Sequence, residues 1–211
     1  MKYKNFITIE GGEGTGKTSI MQELEYRFKH KTFLVNKNVL FTREPGKTDH
    51  KFLSEIRKLI MNYDILPTTE LFLFQANRFE HVNRLISPQL KKNGVVICDR
   101  FTDSTFVYQG MKGISPTDIK VTNSIATVAI EPGLTFIIDL DINLAQQRIS
   151  QNKHREVNKF DTYQKKFHQE VRNKYLSLAR SDKKRYIIID GNRPLITIVD
   201  EITNIIEKRL G

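Results

Sequence analysis

Gly11-Gly12-Glu13-Gly14-Thr15-Gly16-Lys17-Thr18 fits the pattern G-x-x-x-x-G-K-[ST]. Residues of these types at this spacing can hold a polyphosphate. Glycines allow positive φ and leave no Cβ between the backbone and an anion. Successive N–H groups then point inward, and a helix starting near Lys17 adds its positive end. Lys17 reaches the β- and γ-phosphates, and Thr18 offers a hydroxyl to Mg²⁺. The simpler alternative is a chance glycine-rich turn. Against it, the apolar run Phe6 to Ile9 precedes the loop and an amphipathic pattern follows it.

A second pair of charged residues fits the same chemistry. Val95-Val96-Ile97-Cys98-Asp99-Arg100 is an apolar run ending in an acid and a base. A carboxylate at the carboxyl end of such a strand faces the crevice where α/β sheets bind ligands. In isolation this would read as a surface ion pair. Beside a phosphate loop, Asp99 is a candidate metal ligand, with Thr18 and Glu10 completing the set.

The elements that must position these groups are legible as apolar runs: Phe6 to Ile9, Asn38 to Thr42, Val95 to Asp99, Leu134 to Leu140 and Tyr186 to Asp190. They are continuous rather than alternating, as in strands covered on both faces. Helical patterns lie between them. Ile20, Leu24 and Phe28 recur at spacing four, Leu71, Phe74 and Arg78 belong to another helix, and Ile196 to Leu210 closes the chain. Strand–helix alternation predicts a parallel sheet with right-handed crossovers. The mostly polar tract Arg148 to Asp161 reads as a charged lid. No internal repeat or long linker interrupts the chain, so the expectation is one domain over residues 1–211.

Composition narrows the class. The 211 residues are 39% hydrophobic, enough for one real core. The lone cysteine, Cys98, excludes a disulfide framework and a Cys-rich zinc site. The start Met1-Lys2-Tyr3-Lys4-Asn5 lacks a signal-peptide pattern, and no run approaches a membrane span. The expectation is a cytoplasmic protein with no membrane partner. The formal net charge of +10 admits two readings. A basic surface could bind nucleic acid, or a cleft could hold two polyanionic nucleotides among ordinary solvated lysines. The lysines are scattered among acids, and no aromatic stacking platform stands out. The second reading is preferred, with no nucleic-acid partner.

Four motifs together resemble the thymidylate kinase family: the phosphate loop with its internal Glu13, Thr42-Arg43-Glu44-Pro45-Gly46, Phe74-Gln75-Ala76-Asn77-Arg78, and Asp99-Arg100-Phe101 followed by Ser104 and Tyr108-Gln109-Gly110. The resemblance runs from Ile9 to Gly191. It implies a three-layer α/β P-loop NTPase fold with a central parallel sheet of about five strands. It also implies a homodimer, a cis Glu44–Pro45 peptide, and transfer of the γ-phosphoryl of ATP to dTMP with Mg²⁺.

Roles follow from the same resemblance. Gly11 to Thr18 would bind ATP. Arg43 would clamp the acceptor phosphate, and Arg100 would lie between donor and acceptor; planar guanidinium forks suit both tasks. Phe74 would stack on the pyrimidine, and Arg78, one turn on, would point at a base carbonyl. Ser104, Thr105 and Gln109 would make polar contacts to the base. Tyr108 would pack where a 2′-hydroxyl would sit, and Glu13 would accept from the 3′-hydroxyl. The acceptor phosphate is already ionised, its second pKa being about 6, so no general base is needed. Catalysis is then positioning and charge neutralisation by Lys17, Arg100 and a lid cation. Gly14 and Thr15 bring no cation into the loop, whereas the lid tract offers Arg148, Lys153, Arg155 and Lys159. Arg155 is the first choice and Arg148 the second. Two rivals remain at this level: a kinase of the same fold for another nucleoside monophosphate or a deoxynucleoside, and a P-loop ATPase that binds nucleic acid.

Overall fold

The computed structural model describes residues 1–30, 38–46, 50–151 and 164–211. Five parallel strands form the sheet: β1 (Lys2–Glu10), β2 (Val39–Arg43), β3 (Val95–Asp99), β4 (Glu131–Asp139) and β5 (Tyr186–Asp190), in the order β2-β3-β1-β4-β5. All five expected strands are present. β1 starts four residues before the apolar run, where Lys2 and Tyr3 pair with Glu131 and Pro132. The chain fills one side of β1 with β3 and β2, then the other with β4 and β5. That reversal opens a crevice at the carboxyl ends of the strands.

Helices cover both faces. Within β1, Ile7 and Ile9 face one layer while Phe6 faces the other; all three are 0% exposed. Helix α1 (Lys17–His30) buries Ile20, Leu24 and Phe28, as their spacing predicts, on the Ile7 and Ile9 face. Helix α9 (Leu195–Leu210) lays Ile198, Val199, Ile202 and Ile206 on the same face. Burying side chains of this size stabilises the fold by roughly 1.5–3 kcal/mol each. The opposite face carries α2 (Lys51–Asn62), α3 (Pro67–His81), α4 (Ser87–Lys91), α5 (Thr102–Met111), α6 (Pro116–Thr127) and α8 (Lys165–Ser181). A π-helical stretch, Val82–Ile86, joins α3 to α4, and its Val82 and Ile86 pack with Phe6 and Phe101.

Helix α7 (Ile142–Gln151) follows β4. It takes in the first four residues of the expected lid, so Arg148 stands on a helix. Residues 152–161 of that tract lie outside the described residues, and with them Lys153, Arg155 and Lys159. Among the described residues, no helix is long and apolar enough to cross a membrane.

Candidate active site

The phosphate loop follows β1 at the switch point of the sheet. Gly14 takes φ +76°, and a Cβ there would lie 2.5 Å from the Ala145 carbonyl oxygen of α7. Glycine is therefore required both by conformation and by the close approach of α7. The Lys17 ammonium folds back over the loop and donates to the Gly11 and Gly12 carbonyls at 2.9 and 2.7 Å. Burial, and then the nearby charge of Arg100, lower its pKa to about 8. Anionic phosphate oxygens would offset both effects. Arg148 reaches over the same loop: its Nη1 is 3.9 Å from the Cβ position of Gly16, and its Nη2 donates to the Gly191 carbonyl at 3.0 Å.

The other cationic groups come from strand ends. Arg43 and Asp99 are register partners at the ends of β2 and β3. Arg43 Nη2 lies 3.7 Å from Asp99 Oδ2. Arg43 Nε and Asp99 Oδ1 are buried and have no hydrogen-bond partner among the described residues. Unsatisfied groups of this kind are costly and mark a place where a ligand or ion belongs. Arg100, one residue past β3, has φ +68°, a conformation that costs a non-glycine residue about 1–2 kcal/mol. Its surroundings hold it there. The Arg100 N–H donates to the Ile9 carbonyl at 3.0 Å, Nη2 donates to Glu13 Oε1 at 2.6 Å, and Nη1 donates to Ser104 Oγ and Tyr175 Oη at 3.2 Å each. The guanidinium also lies 5.3 Å from the centre of the Tyr108 ring, within cation–π range.

The loop carrying Arg43 is fixed from α3. Glu44, 4% exposed, accepts from Arg78 Nε at 2.7 Å and pairs with His81 Nδ1 at 3.1 Å. Burial opposes ionisation of Glu44, but these two partners outweigh it and hold its carboxyl below the usual range. His81 Nε2 meets Thr42 Oγ1 at 2.7 Å, and Asn77 Oδ1 accepts from the Gly46 N–H at 2.7 Å. Glu44–Pro45 is cis, as the family resemblance implied.

One cleft of about 640 Å³ gathers most of the expected residues. Gly14 to Thr18 and Arg148 lie on its wall together with Arg43, Asp99 and Arg100, and Glu13, Phe74, Arg78, Ser104, Thr105, Tyr108 and Gln109 also line it. Gly11 and Gly12 stand behind the loop, outside the cleft wall.

Glu10 requires a correction. It was expected among the metal ligands, yet it is 0% exposed and does not line the cleft. Its Oε1 accepts from the Phe101 N–H at 2.7 Å, while Oε2 accepts from Ser104 Oγ at 2.7 Å and Tyr175 Oη at 2.9 Å. Protein donors therefore occupy both oxygens. Burial, and then the charge of Asp103, push its pKa up to about 7. Glu10 ties β1 to the Arg100 segment instead of facing an ion. Ser104, expected at the base, is likewise bound up in this cluster. Arg78 is 2% exposed, and its donors reach Glu44, Gln75, Asn123 and the Phe101 carbonyl.

The remaining candidate ligands fit Mg²⁺. Asp99 Oδ1 is unpartnered and Thr18 lines the same cleft. Among the described residues no cluster of three His, Cys, Asp or Glu could hold an ion. Mg²⁺ in phosphotransferases takes one or two protein ligands and completes its shell with water and substrate phosphate. When bound it would neutralise charge on the β- and γ-phosphates.

Sequence reasoning missed Tyr175, Glu44, His81, Glu70 and Lys112. Tyr175 sits on the apolar stripe Val171–Tyr175–Ala179 of α8 and reads as core. Its hydroxyl was the available signal, because a buried tyrosine needs a polar partner. Glu70 lies in the first turn of α3, where acids commonly sit on the surface and favour the helix dipole, so its burial has no sequence signature.

A phosphate-wrapping loop at a strand end, with arginines from separate segments converging on one cleft, defines a P-loop phosphotransferase. The comparisons specify the kind. The sequence pattern described as "Thymidylate kinase" matches residues 9–202. A thymidylate kinase of Onion yellows phytoplasma (strain OY-M) is 40% identical, covering 97% of this chain and 96% of that one. One of Acholeplasma laidlawii (strain PG-8A) is 36% identical over 97% of this chain and 100% of that one. The crystal structure of thymidylate kinase from Ehrlichia chaffeensis superposes with a TM-score of 0.73 at 30% identity, covering 97% of this chain and 98% of that one. This chain belongs to the thymidylate kinase family, whose members are ATP-dependent phosphotransferases.

Proposed function

We propose that this protein transfers the γ-phosphoryl of ATP to dTMP, giving ADP and dTDP for dTTP synthesis. What supports it most is the composition of this cleft. It combines a phosphate loop with an aromatic face and polar groups suited to a nucleobase: Phe74, Arg78, Tyr108 and Gln109. Arg43 and Arg100 stand on the same wall and suit the acceptor phosphate and the transferring group. Glu13 is held by Arg100 at 2.6 Å, and a carboxylate fixed there suits a hydrogen bond from the sugar of such an acceptor.

Mg²⁺ held by Thr18, Asp99 and phosphate oxygens is part of this reading. So are a single catalytic domain over residues 1–211, a lid beginning at Arg148, and a cytoplasmic location without membrane or nucleic-acid partners. The chain acts as a homodimer in this proposal. Phe72 and Phe79 of α3 and Val121 and Ile125 of α6 are 44–67% exposed on two helices that pack together. Exposed apolar groups concentrated this way suit a self-complementary face. Sedimentation at micromolar concentration should give twice the chain mass.

The activity is tested by ADP release with a panel of monophosphates. The reading requires dTMP first, dUMP second, and UMP, AMP and GMP far behind. Equal use of AMP or GMP would reject it. ATP hydrolysis stimulated by nucleic acid, with steep salt dependence, would favour the rival.

A further inference from the structure

A buried ion pair lies behind the base end of the cleft. Glu70 of α3 is 0% exposed. Lys112, just past the end of α5, donates to both of its carboxylate oxygens, at 2.8 and 3.0 Å. Gln109, 1% exposed and part of the cleft wall, donates from Nε2 to Glu70 Oε1 at 3.0 Å. A carboxylate can only accept, so the amide nitrogen of Gln109 is forced toward Glu70. Its carbonyl oxygen is left for the cleft side. Arg78, on the same wall, is a guanidinium and can only donate. Four of its five N–H groups go to Glu44, Gln75, Asn123 and the Phe101 carbonyl, so the base end presents one remaining Arg78 donor on Nη2 beside one amide locked as an acceptor.

We propose that Glu70 and Lys112 are positioning residues that select the hydrogen-bonding edge of the acceptor base. They hold the Gln109 amide in the orientation that accepts from N3–H of a keto-pyrimidine. Thymine and uracil offer a carbonyl at C4 and a proton at N3. Cytosine offers the reverse, an amino group and a bare nitrogen, and would set donor against donor and acceptor against acceptor. A site built for one edge rejects the other strongly because buried groups are left unpaired. Lys112 holds both carboxylate oxygens of Glu70 in place; without it the buried carboxylate loses its counter-charge and the Gln109 amide loses its fixed partner.

The inference rests on the dTMP reading, and the test separates the two. Steady-state kcat/KM for dTMP and dCMP is measured for the wild type, Glu70→Gln and Lys112→Met. In Glu70→Gln the new amide can donate to Gln109 Oε1, so Gln109 can turn its NH₂ to the cleft. The expected result in both variants is a dTMP-to-dCMP preference reduced by about tenfold or more, with KM for dTMP raised and KM for ATP unchanged. Unchanged melting temperatures are not required, because the ratio compares two substrates on the same folded population. An unaltered ratio in either soluble variant, or an equal loss on both substrates, overturns the inference while leaving the dTMP reading intact. A wild type inactive on dTMP overturns both.

Discussion

Tyr175 Oη of α8 lies 3.2 Å from Arg100 Nη1, although the two residues are 75 positions apart in the chain. The same hydroxyl is 2.9 Å from Ser104 Oγ and donates to Glu10 Oε2 at 2.9 Å. One buried tyrosine thus joins the strand before the phosphate loop, the helix after Arg100, and the arginine itself. Tyr175→Phe keeps the ring and removes these bonds. Arg100 should then sample wrong orientations. We expect kcat to fall about ten- to a hundredfold, with dTMP KM changed less than about threefold. Steady-state kinetics decide it; a variant with wild-type kcat would show that Glu13 and Ser104 suffice to hold Arg100.

Glu44 makes a stability prediction with a defined pH dependence. Its pKa is depressed in the fold, so its stabilisation is present above the ordinary carboxylate value of 4.5 and is lost as pH falls through the lower folded value. Replacing it leaves the buried Arg78 charge unpaired. Glu44→Ala should cost about 3–5 kcal/mol at pH 7. Below pH 4 the difference between variant and wild type should shrink. Urea unfolding at the two pH values measures this, and a difference that grows on acidification would contradict the assignment.

Glu10 should behave oppositely. Its pKa is raised from 4.5 to about 7, so its contribution is fully present below pH 4.5 and declines as pH rises toward 7. Glu10→Gln should flatten the fall in stability across that window while retaining the shape of the site. Thermal melts of both proteins from pH 4.5 to 8 test this; parallel curves would mean that the carboxyl is ionised throughout.

Lid cations should act on kcat more than on acceptor KM. Gly14 and Thr15 bring no charge into the loop, yet charge spreads over the γ-phosphoryl oxygens in the transition state. Arg148 stands over the loop at the end of α7. Arg155→Ala should lower kcat by roughly a hundredfold or more, as loss of an arginine finger does, and Arg148→Ala by a similar or smaller factor. If both retain wild-type kcat, the lid is a passive cover and Arg100 supplies the cation assigned to it, beside Lys17.

Much of this was legible in the residues. All five strands announced themselves because parallel strands buried on both faces are continuous apolar runs. The loop was legible because phosphate binding restricts residue types over a short span. The partners of its side chains were not. Glu10 looks like a metal ligand by position, and only the approach of Tyr175, Ser104 and the Phe101 N–H shows both oxygens filled. Glu44 and Glu70 are ordinary acids in sequence. Their burial depends on α3 meeting the Thr42 to Gly46 segment on one side and α5 on the other, a relationship no local pattern encodes.

The central claim is that the cleft is built for a thymine deoxynucleotide acceptor. The most direct measurement is a competition in which limiting unlabelled ATP and Mg²⁺ meet equal concentrations of dTMP, dUMP, UMP, AMP and GMP, each labelled in its nucleoside, with the labelled diphosphate products resolved and counted so that ADP released from the donor is not scored. Product ratios then equal ratios of kcat/KM. The account predicts dTDP as the dominant labelled product, dUDP as the minor one, and labelled purine diphosphates, those formed from AMP or GMP, near background. ADP formed from AMP, or GDP formed from GMP, at a level matching dTDP would contradict it.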